Sequence, residues 1–178
     1  MGRMPDEPPN EMLFHSLPRE YEVEIARVVT RWAQLEHDID GAIWELANLH
    51  DTPEIGACLT AQYTSVNSRL NALISLTRVR DIPDFQIAKL NKFRERATAL
   101  ADRRNRVAHD PWLSAYGAGM KDLGKVYRLQ KTARARLDYS YKLIALGDLR
   151  ALTKEIEGAY LAFSELYAEI CQLPWSLP

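Results

Sequence analysis

Residues 90–109 read LNKFRERATALADRRNRVAH, and this stretch decides the fold. Its apolar residues recur at spacings of three and four, which is the period of an amphipathic helix. The apolar stripe comprises Leu90, Phe93, Ala97, Leu100 and Val107. Pro111 ends the pattern, because proline cannot continue a helix. We therefore predict a long helix that closes just before Pro111.

Three further stretches with the same period surround this one. They cover about residues 18–49, 55–79 and 148–173, and proline-containing breaks bound them. Their apolar positions are Ile25, Val28, Trp32, Leu35, Ile39, Ile43 and Leu46, then Ile55, Leu59, Tyr63, Val66, Leu70, Leu73 and Thr77, and finally Leu149, Leu152, Ile156, Ala159, Phe163, Leu166 and Ile170. Four long helices with short connections predict an all-α, antiparallel bundle.

One segment before the last helix does not follow this period. Residues 112–145 contain three glycines in their first half, and residues 134–141 alternate between apolar and polar as a strand does. We predict a small β-hairpin or an ordered loop inserted here. The acidic, proline-containing residues 1–16 are predicted to be a flexible leader, which leaves residues 17–178 as one helical domain.

Composition narrows the class of protein. The chain has 178 residues, of which 47% are hydrophobic and 26% charged, as expected for one globular domain. Cys58 and Cys171 stand far apart without a C-x-x-C motif, so neither a disulfide framework nor a zinc site is indicated. No secretory signal or membrane-spanning stretch is present. We expect a cytoplasmic protein that uses no metal and no cofactor.

Charge is strongly segregated along the chain, although the net charge is only −1. Residues 1–60 hold 4 Lys and Arg against 12 Asp and Glu, whereas residues 61–145 hold 17 against 7. Such an excess of cations is typical of a surface that meets a phosphate backbone. The alternative is that the acidic and basic segments face each other within the fold.

Arg104 breaks the apolar stripe of the helix around residues 90–109. Counting four residues on from Leu100 gives Arg104, so a guanidinium occupies a position that the pattern reserves for core. Because burying an unpaired arginine is costly, Arg104 requires a carboxylate partner or lies at the mouth of an anion-binding cleft. Glu36 is similarly misplaced on the apolar face of the first helix. A buried Arg104–Glu36 ion pair that fixes helix register is one interpretation.

Asn105 and His109 lie four residues apart and therefore share a helical face beside Arg104. Cleavage of RNA by its own 2′-hydroxyl needs a proton acceptor, a proton donor and positive charge near the phosphate. Histidine serves as acid or base near neutral pH, and arginine binds two phosphate oxygens in a fork. The alternative is that His109 is a surface residue that only interacts with the helix dipole.

Residues 104–109, RNRVAH, resemble the R-N-x-x-x-H signature of the HEPN superfamily. Its members are helical bundles in which the motif lies near the end of a long helix. Many are metal-independent endoribonucleases of toxin–antitoxin, abortive-infection and related defence systems. The resemblance implies that Arg104 and His109 carry catalysis and that Asn105 supports them. Glu36 is the candidate supporting carboxylate by its position.

The resemblance also implies partners. In the HEPN superfamily the active site typically forms where two protomers bring their motifs together, so a homodimer, RNA and an antitoxin protein are expected partners. Candidate RNA-binding cations are those beside the motif and those in the 112–145 insertion. They are Arg103, Arg106, Lys125, Arg128, Arg134 and Arg136. The alternative for the insertion is a solvated hairpin whose tyrosines pack on the bundle.

Two rival functions fit the same residues. The first is a HEPN-like module without catalysis, in which the motif holds a nucleotide, an RNA end or a protein partner. The second is a purely structural helical dimer in which Arg104 and Glu36 set the register of the helices.

Overall fold

The computed structural model describes residues 17–49, 51–114, 124–134 and 136–171, without the side chains of 131–139 and 171. The chain is mainly helical. The described residues form five helices, α1 (Arg19–Leu46), α2 (Pro53–Thr60), α3 (Val66–Val79), α4 (Asp84–His109) and α5 (Leu146–Cys171). Between α4 and α5 the described residues also form three strands, β1 (Trp112–Ser114), β2 (Val126–Arg134) and β3 (Arg136–Leu143). The prediction of an all-α chain is therefore confirmed only as a mainly helical fold with a small sheet.

The described residues divide into two compact units. The helical unit comprises residues within Thr30–Asp102 and Lys154–Pro178, and the sheet unit those within Met1–Val29 and Arg103–Thr153. The predicted motif at the end of α4 belongs to the sheet unit. The predicted leader, residues 1–16, lies outside the described residues. Within the described ranges, no helix has the length and apolar character needed to cross a bilayer.

The sheet is antiparallel with strand order β1-β2-β3. Strands β2 and β3 form a hairpin in which Tyr127 pairs with Leu143 and Leu129 with Tyr141. Strand β1 adds to the other edge of β2, with Trp112 opposite Arg128. The alternation of residues 134–141 therefore predicted a strand correctly. Strand β1 was not predicted, because three residues are too few to show a period.

The predicted second helix, residues 55–79, is two helices. Helix α2 ends at Thr60, and α3 starts at Val66 after an extended Ser65. The Ser65 hydroxyl accepts a hydrogen bond from the Ser68 amide at 3.1 Å, and the Ser68 hydroxyl accepts one from the Ser65 amide at 3.2 Å. This reciprocal cap satisfies backbone donors that a continuous helix would satisfy internally. The apolar period runs through the break and therefore concealed it.

Helix α2 also buries a different face from the one predicted. Ile55 and Leu59, assigned to the core stripe, are 53% and 50% exposed, whereas Gly56 and Thr60 are buried. The cause is Trp44 of α1, whose indole ring lies where a side chain on Gly56 would be. Its Nε1 donates a hydrogen bond to the Thr60 hydroxyl at 3.2 Å. Only small residues fit against this ring, and α2 turns them inward.

Helices α1 and α3 end in the same way. The amide of Leu49 donates to the carbonyl of Trp44 at 2.8 Å, and the amide of Ile82 donates to the carbonyl of Thr77 at 3.0 Å. In each case the preceding residue is left-handed, with φ of 57° at Asn48 and 52° at Asp81. These six-to-one hydrogen bonds are Schellman motifs, in which asparagine and aspartate replace the usual glycine. These motifs end the two helices close to the proline-containing breaks in the apolar period, where short connections were predicted.

The core of the helical unit follows the predicted stripes of the longer helices. Phe93 of α4 packs against Phe163 of α5, with ring centroids 5.3 Å apart. The largest fully buried side chains of this unit are Trp32, Leu35, Ile39, Leu46, Leu70, Leu73, Leu90, Ile156, Phe163 and Ile170. Burial of large apolar side chains stabilises the fold by roughly 1.5–3 kcal/mol each before the entropy cost of ordering. The periodicity of α1, α3, α4 and α5 therefore identified this core.

Replacement of Gly56 by alanine is expected to lower the free energy of unfolding by about 1–3 kcal/mol. The new methyl carbon would lie 2.7 Å from Cγ of the Trp44 ring, so the indole or α2 must shift. Urea denaturation followed by circular dichroism measures the change.

The matched control is Gly41→Ala in α1, where a new methyl group meets nothing within 4 Å. Removing a mid-helix glycine there is expected to stabilise the protein by up to about 1 kcal/mol. Equal stability changes for the two variants would contradict the proposed contact with Trp44.

Candidate functional site

The motif residues lie in the last two turns of α4, as the sequence predicts. Arg104 is half-buried, and Asn105 and His109 are exposed. The Arg104 Nη1 donates a hydrogen bond to the Asn105 Oδ1 at 3.1 Å. Because Asn105 and His109 share a helical face, this bond draws the guanidinium toward that face. One atom has no such partner: among the described residues, nothing accepts a hydrogen bond from the buried Arg104 Nε.

The chain leaves α4 through a short connection that ties the helix end to the sheet. The Trp112 Nε1 donates to the Val107 carbonyl at 2.9 Å, which satisfies one of the carbonyls left open at the helix end. The Leu129 amide of β2 donates to the Pro111 carbonyl at 2.8 Å. His109 therefore sits directly before a segment held by β1 and β2.

Beside the motif, the Asp110 carboxylate lies between two arginines. Its Oδ2 is 3.4 Å from the Arg128 Nε of β2 and 3.7 Å from the Arg106 Nη1 of α4. Burial lowers the pKa of Arg128, the Asp110 charge raises it, and the Arg106 charge lowers it again. Arginine stays protonated at neutral pH despite such a shift. The predicted RNA-binding residues Arg106 and Arg128 are thus both in contact with Asp110.

The other predicted RNA-binding residues are more scattered. Arg103 is exposed on α4, and Lys125 is exposed immediately before β2. Arg134 and Arg136 are paired across the end of the β2–β3 hairpin, but their side chains lie outside the described part of the chain. Of these predicted cations, Arg106 of α4 and Arg128 of β2 are brought together, because both lie against Asp110, the residue that follows the motif.

Glu36 has a partner that the sequence did not predict. Its carboxylate lies 3.7 Å from the Arg69 Nη1 of α3, and Asp40 accepts a hydrogen bond from the Arg69 Nε at 2.9 Å. Burial raises the pKa of Asp40 against the opposing charge and hydrogen bond of Arg69. Within the helical unit Glu36 thus helps to join α1 to α3, and the ion pair expected with Arg104 is replaced by one with Arg69.

Glu24, which was not predicted from the sequence, is buried in the sheet unit with only 4% of its surface exposed. Its carboxylate accepts hydrogen bonds from the Arg27 Nη1 at 2.7 Å and from the Thr153 hydroxyl at 3.3 Å, and it lies 3.8 Å from the Arg150 Nε. A signal was present, because Glu24 stands four residues before Val28 on the apolar stripe of the first helix. Counting four residues along the apolar stripe, which identifies Arg104 as a misplaced charge, identifies Glu24 as well.

Two open grooves of about 320 Å³ each lie in the helical unit. One is bounded by α1 and α5 and includes His37, Ser164 and Tyr167. The other is bounded by α4 and α5 and includes Lys92 and Arg96. Neither groove is lined by a motif residue. Among the described residues, no group of three or more His, Cys, Asp or Glu side chains is placed to hold a metal ion.

Comparison with known proteins assigns this chain to no family. No family model, no curated protein and no solved structure matches the chain. Function must therefore be argued from the site itself.

The Arg69 contact gives a prediction for stability. Replacement of Arg69 by methionine leaves two largely buried carboxylates unpaired, and we expect a loss of about 2–3 kcal/mol near neutral pH. Arg78→Met is the matched control, because Arg78 is an exposed residue of the same helix. Urea denaturation is expected to leave that control within about 0.5 kcal/mol of wild type.

The loss from Arg69→Met is expected to shrink at acidic pH. Arg69 holds down a pKa of Asp40 that burial raises, so its removal raises that pKa further. A carboxyl whose pKa is raised by folding binds its proton more tightly in the folded state than in the unfolded state. The folded variant therefore loses stability as pH rises above the ordinary pKa of aspartate. Denaturation at about pH 5 and about pH 7.5 checks the sign. A larger loss at the lower pH would contradict it.

Proposed function

We propose that this protein is a metal-independent endoribonuclease of HEPN type whose site is formed by Arg104, Asn105 and His109. The observation that carries the proposal is the hydrogen bond of 3.1 Å between the Arg104 guanidinium and the Asn105 amide oxygen. It brings a fixed cation to the helical face on which the exposed His109 imidazole stands. A cation beside an accessible imidazole is the minimum that phosphodiester transesterification requires.

The proposed reaction uses the substrate's own nucleophile. A base removes the proton of the ribose 2′-hydroxyl, the 2′-oxygen attacks phosphorus, and the bond from phosphorus to the 5′-oxygen breaks. An acid gives a proton to that leaving oxygen, and the products are a 2′,3′-cyclic phosphate and a 5′-hydroxyl. His109 serves as acid or base, and Arg104 stabilises charge on the phosphoryl oxygens.

A single chain supplies one half of this acid–base pair. His109 is the only motif histidine, whereas the two proton transfers need two groups or one group acting twice. A symmetric homodimer would place a second His109 and a second Arg104 at the same phosphate. The buried Arg104 Nε, which lacks a hydrogen-bond partner among the described residues, fits a site that is completed by a ligand or a second protomer.

The HEPN assignment is supported by the position of the motif as well as by its letters. The motif lies at the C-terminal end of a 26-residue helix in a mainly helical chain. We propose that α1, α3, α4 and α5 correspond to the four-helix bundle of the family, to which this chain adds α2 and the three-stranded sheet. The sheet is where the chain departs from the family pattern.

The proposed substrate is RNA and the proposed setting is the cytoplasm, with an antitoxin protein as the partner that restrains activity. Exposed cations around the motif support binding of a phosphate backbone, and Arg103 lies next to Arg104 on α4. Arg128 is only 12% exposed in its side chain and contacts Asp110, which fits support of the site better than direct contact with RNA. The exposed free thiol of Cys58 fits a reducing compartment.

Replacement of His109 by alanine is expected to lower the rate of RNA cleavage by about 10²–10⁴-fold in the presence of excess EDTA, because the proton transfers lose their acid or base. His37→Ala is the matched control, since His37 is the exposed histidine of α1. Gel analysis of a labelled single-stranded RNA, with phosphatase treatment to reveal the cyclic phosphate end, measures both.

Two outcomes would overturn this function. Wild-type protein that leaves RNA intact would favour a binding module without catalysis, and cleavage that depends on a metal would exclude the proposed mechanism. Equal activity of the His109 and His37 variants would show that the reaction takes place elsewhere.

The shared site predicts that specific activity rises with protein concentration until the dimer is saturated. Light scattering across the same concentration range is expected to show the monomer converting to a dimer. Activity per mole that stays constant while the protein is monomeric would contradict a site shared by two chains.

A further inference from the structure

Among the described residues, no hydrogen bond or ion pair holds the ring of His109 in place. His109 is the last residue of α4 and is exposed. Helix ends fray because the last four carbonyls lack partners within the helix. The position of the imidazole is therefore set by whatever holds the final turn of α4.

The best-connected group at that turn is the Asp110 carboxylate, the side chain directly after His109. It is 17% exposed, and its Oδ2 lies 3.4 Å from the Nε of Arg128, which is 12% exposed. Arg128 is in turn fixed within the sheet, since it pairs with Trp112 of β1 and with Lys142 of β3. The charge pair thus links the end of α4 to the middle strand of the sheet.

We propose that Asp110 and Arg128 form a positioning pair that holds the last turn of α4, and with it His109, in the arrangement needed for RNA cleavage. This inference rests on the function proposed above. Neither residue belongs to the R-N-x-x-x-H motif, and neither needs to touch the reacting atoms. They act through the backbone of residues 107–110.

The two charges of the pair are largely shielded from water. Attraction between opposite charges at this separation grows as the effective dielectric constant falls. Arg106 approaches the same oxygen at 3.7 Å from a side chain that is 41% exposed, so Asp110 also neutralises a second cation. Without the carboxylate, Arg128 would be a largely buried, unpaired charge beside Arg106, and the two guanidinium groups would repel each other.

The closest atoms of the pair make no hydrogen bond among the described residues. Both the Asp110 Oδ2 and the Arg128 Nε are buried and, despite their separation, are not aligned to form a hydrogen bond. A contact of this kind depends on charge more than on direction, so lysine at position 128 retains most of it. This gives the experiment a conservative variant that distinguishes charge pairing from mere side-chain volume.

The test compares Asp110→Asn, Arg128→Gln, their double variant and Arg128→Lys in the full-length protein. Steady-state cleavage of a labelled single-stranded RNA in EDTA is expected to show kcat reduced about 10–100-fold in each neutralising single variant, because small misplacements of a catalytic group are costly. KM is expected to change less than about threefold, since the binding cations are retained. The double variant is expected to be no worse than the worse single variant, as the two residues act as one unit.

Controls remove comparable charges nearby. Asp102→Asn changes an exposed carboxylate on α4, and Lys142→Gln changes the exposed cation opposite Arg128 on β3. Both are expected to keep kcat within about twofold of wild type. Arg128→Lys is expected to retain kcat within about fivefold, which also covers the case in which a neutralising variant fails to fold.

A second readout does not depend on catalysis. Amide hydrogen exchange of residues 107–110 is expected to speed up at least about tenfold in Asp110→Asn and Arg128→Gln, but not in the two controls, because the last turn opens more often. Unchanged exchange, or a drop in kcat of equal size in Asp102→Asn, would overturn the positioning pair. If wild-type protein does not cleave RNA, the proposed ribonuclease is lost, while the exchange data still decide whether the pair holds the helix end.

Discussion

The carboxylate of Asp110, set between Arg106 and Arg128, is the interaction on which the end of helix α4 depends. The last two turns of that helix carry several cationic side chains, which a helix C-terminus tolerates because its dipole favours positive charge. They also repel one another. The half-buried Asp110 carboxylate offsets one of these cations, Arg106, and also Arg128 of β2, and so ties the helix end to the sheet. Charge pairing at Asp110 therefore adds to the hydrogen bonds of Trp112 and Leu129 that hold the same segment.

Charged residues occur on apolar helix faces in both units, and most of them are paired with groups of the same unit. Glu24 accepts hydrogen bonds from a neighbouring arginine and a threonine, and Arg69 holds two carboxylates of α1. Arg104 differs from them. Its guanidinium meets a neutral amide, and its Nε is left without a hydrogen-bond partner among the described residues. A buried donor in that state costs free energy, and binding an anion or a second chain would recover it.

This difference separates the charges that are paired within the chain from the one at the proposed site. The ion pairs of Glu24 with Arg150 and of Arg69 with Asp40 join helices and need nothing from outside the chain. At the motif, the Arg104 guanidinium is hydrogen-bonded to Asn105, which shares a helical face with the exposed His109, and the described ion pairs give Arg104 no carboxylate partner. Such a site suits a phosphodiester, which brings its own negative charge. In the proposed ribonuclease, the sheet that follows α4 supports the site by holding the helix end.

The sequence by itself determined the long helices, the hairpin strand and the anomaly of Arg104, because period and position along one helix are local properties. Only the tertiary structure decided which charges meet, and it gave Glu36 to Arg69. It also turned Gly56 inward beneath Trp44, against the apolar pattern of α2. Periodicity marks the face of a helix that is buried but carries no information about the residue from another element that lies opposite, and that pairing is set by packing.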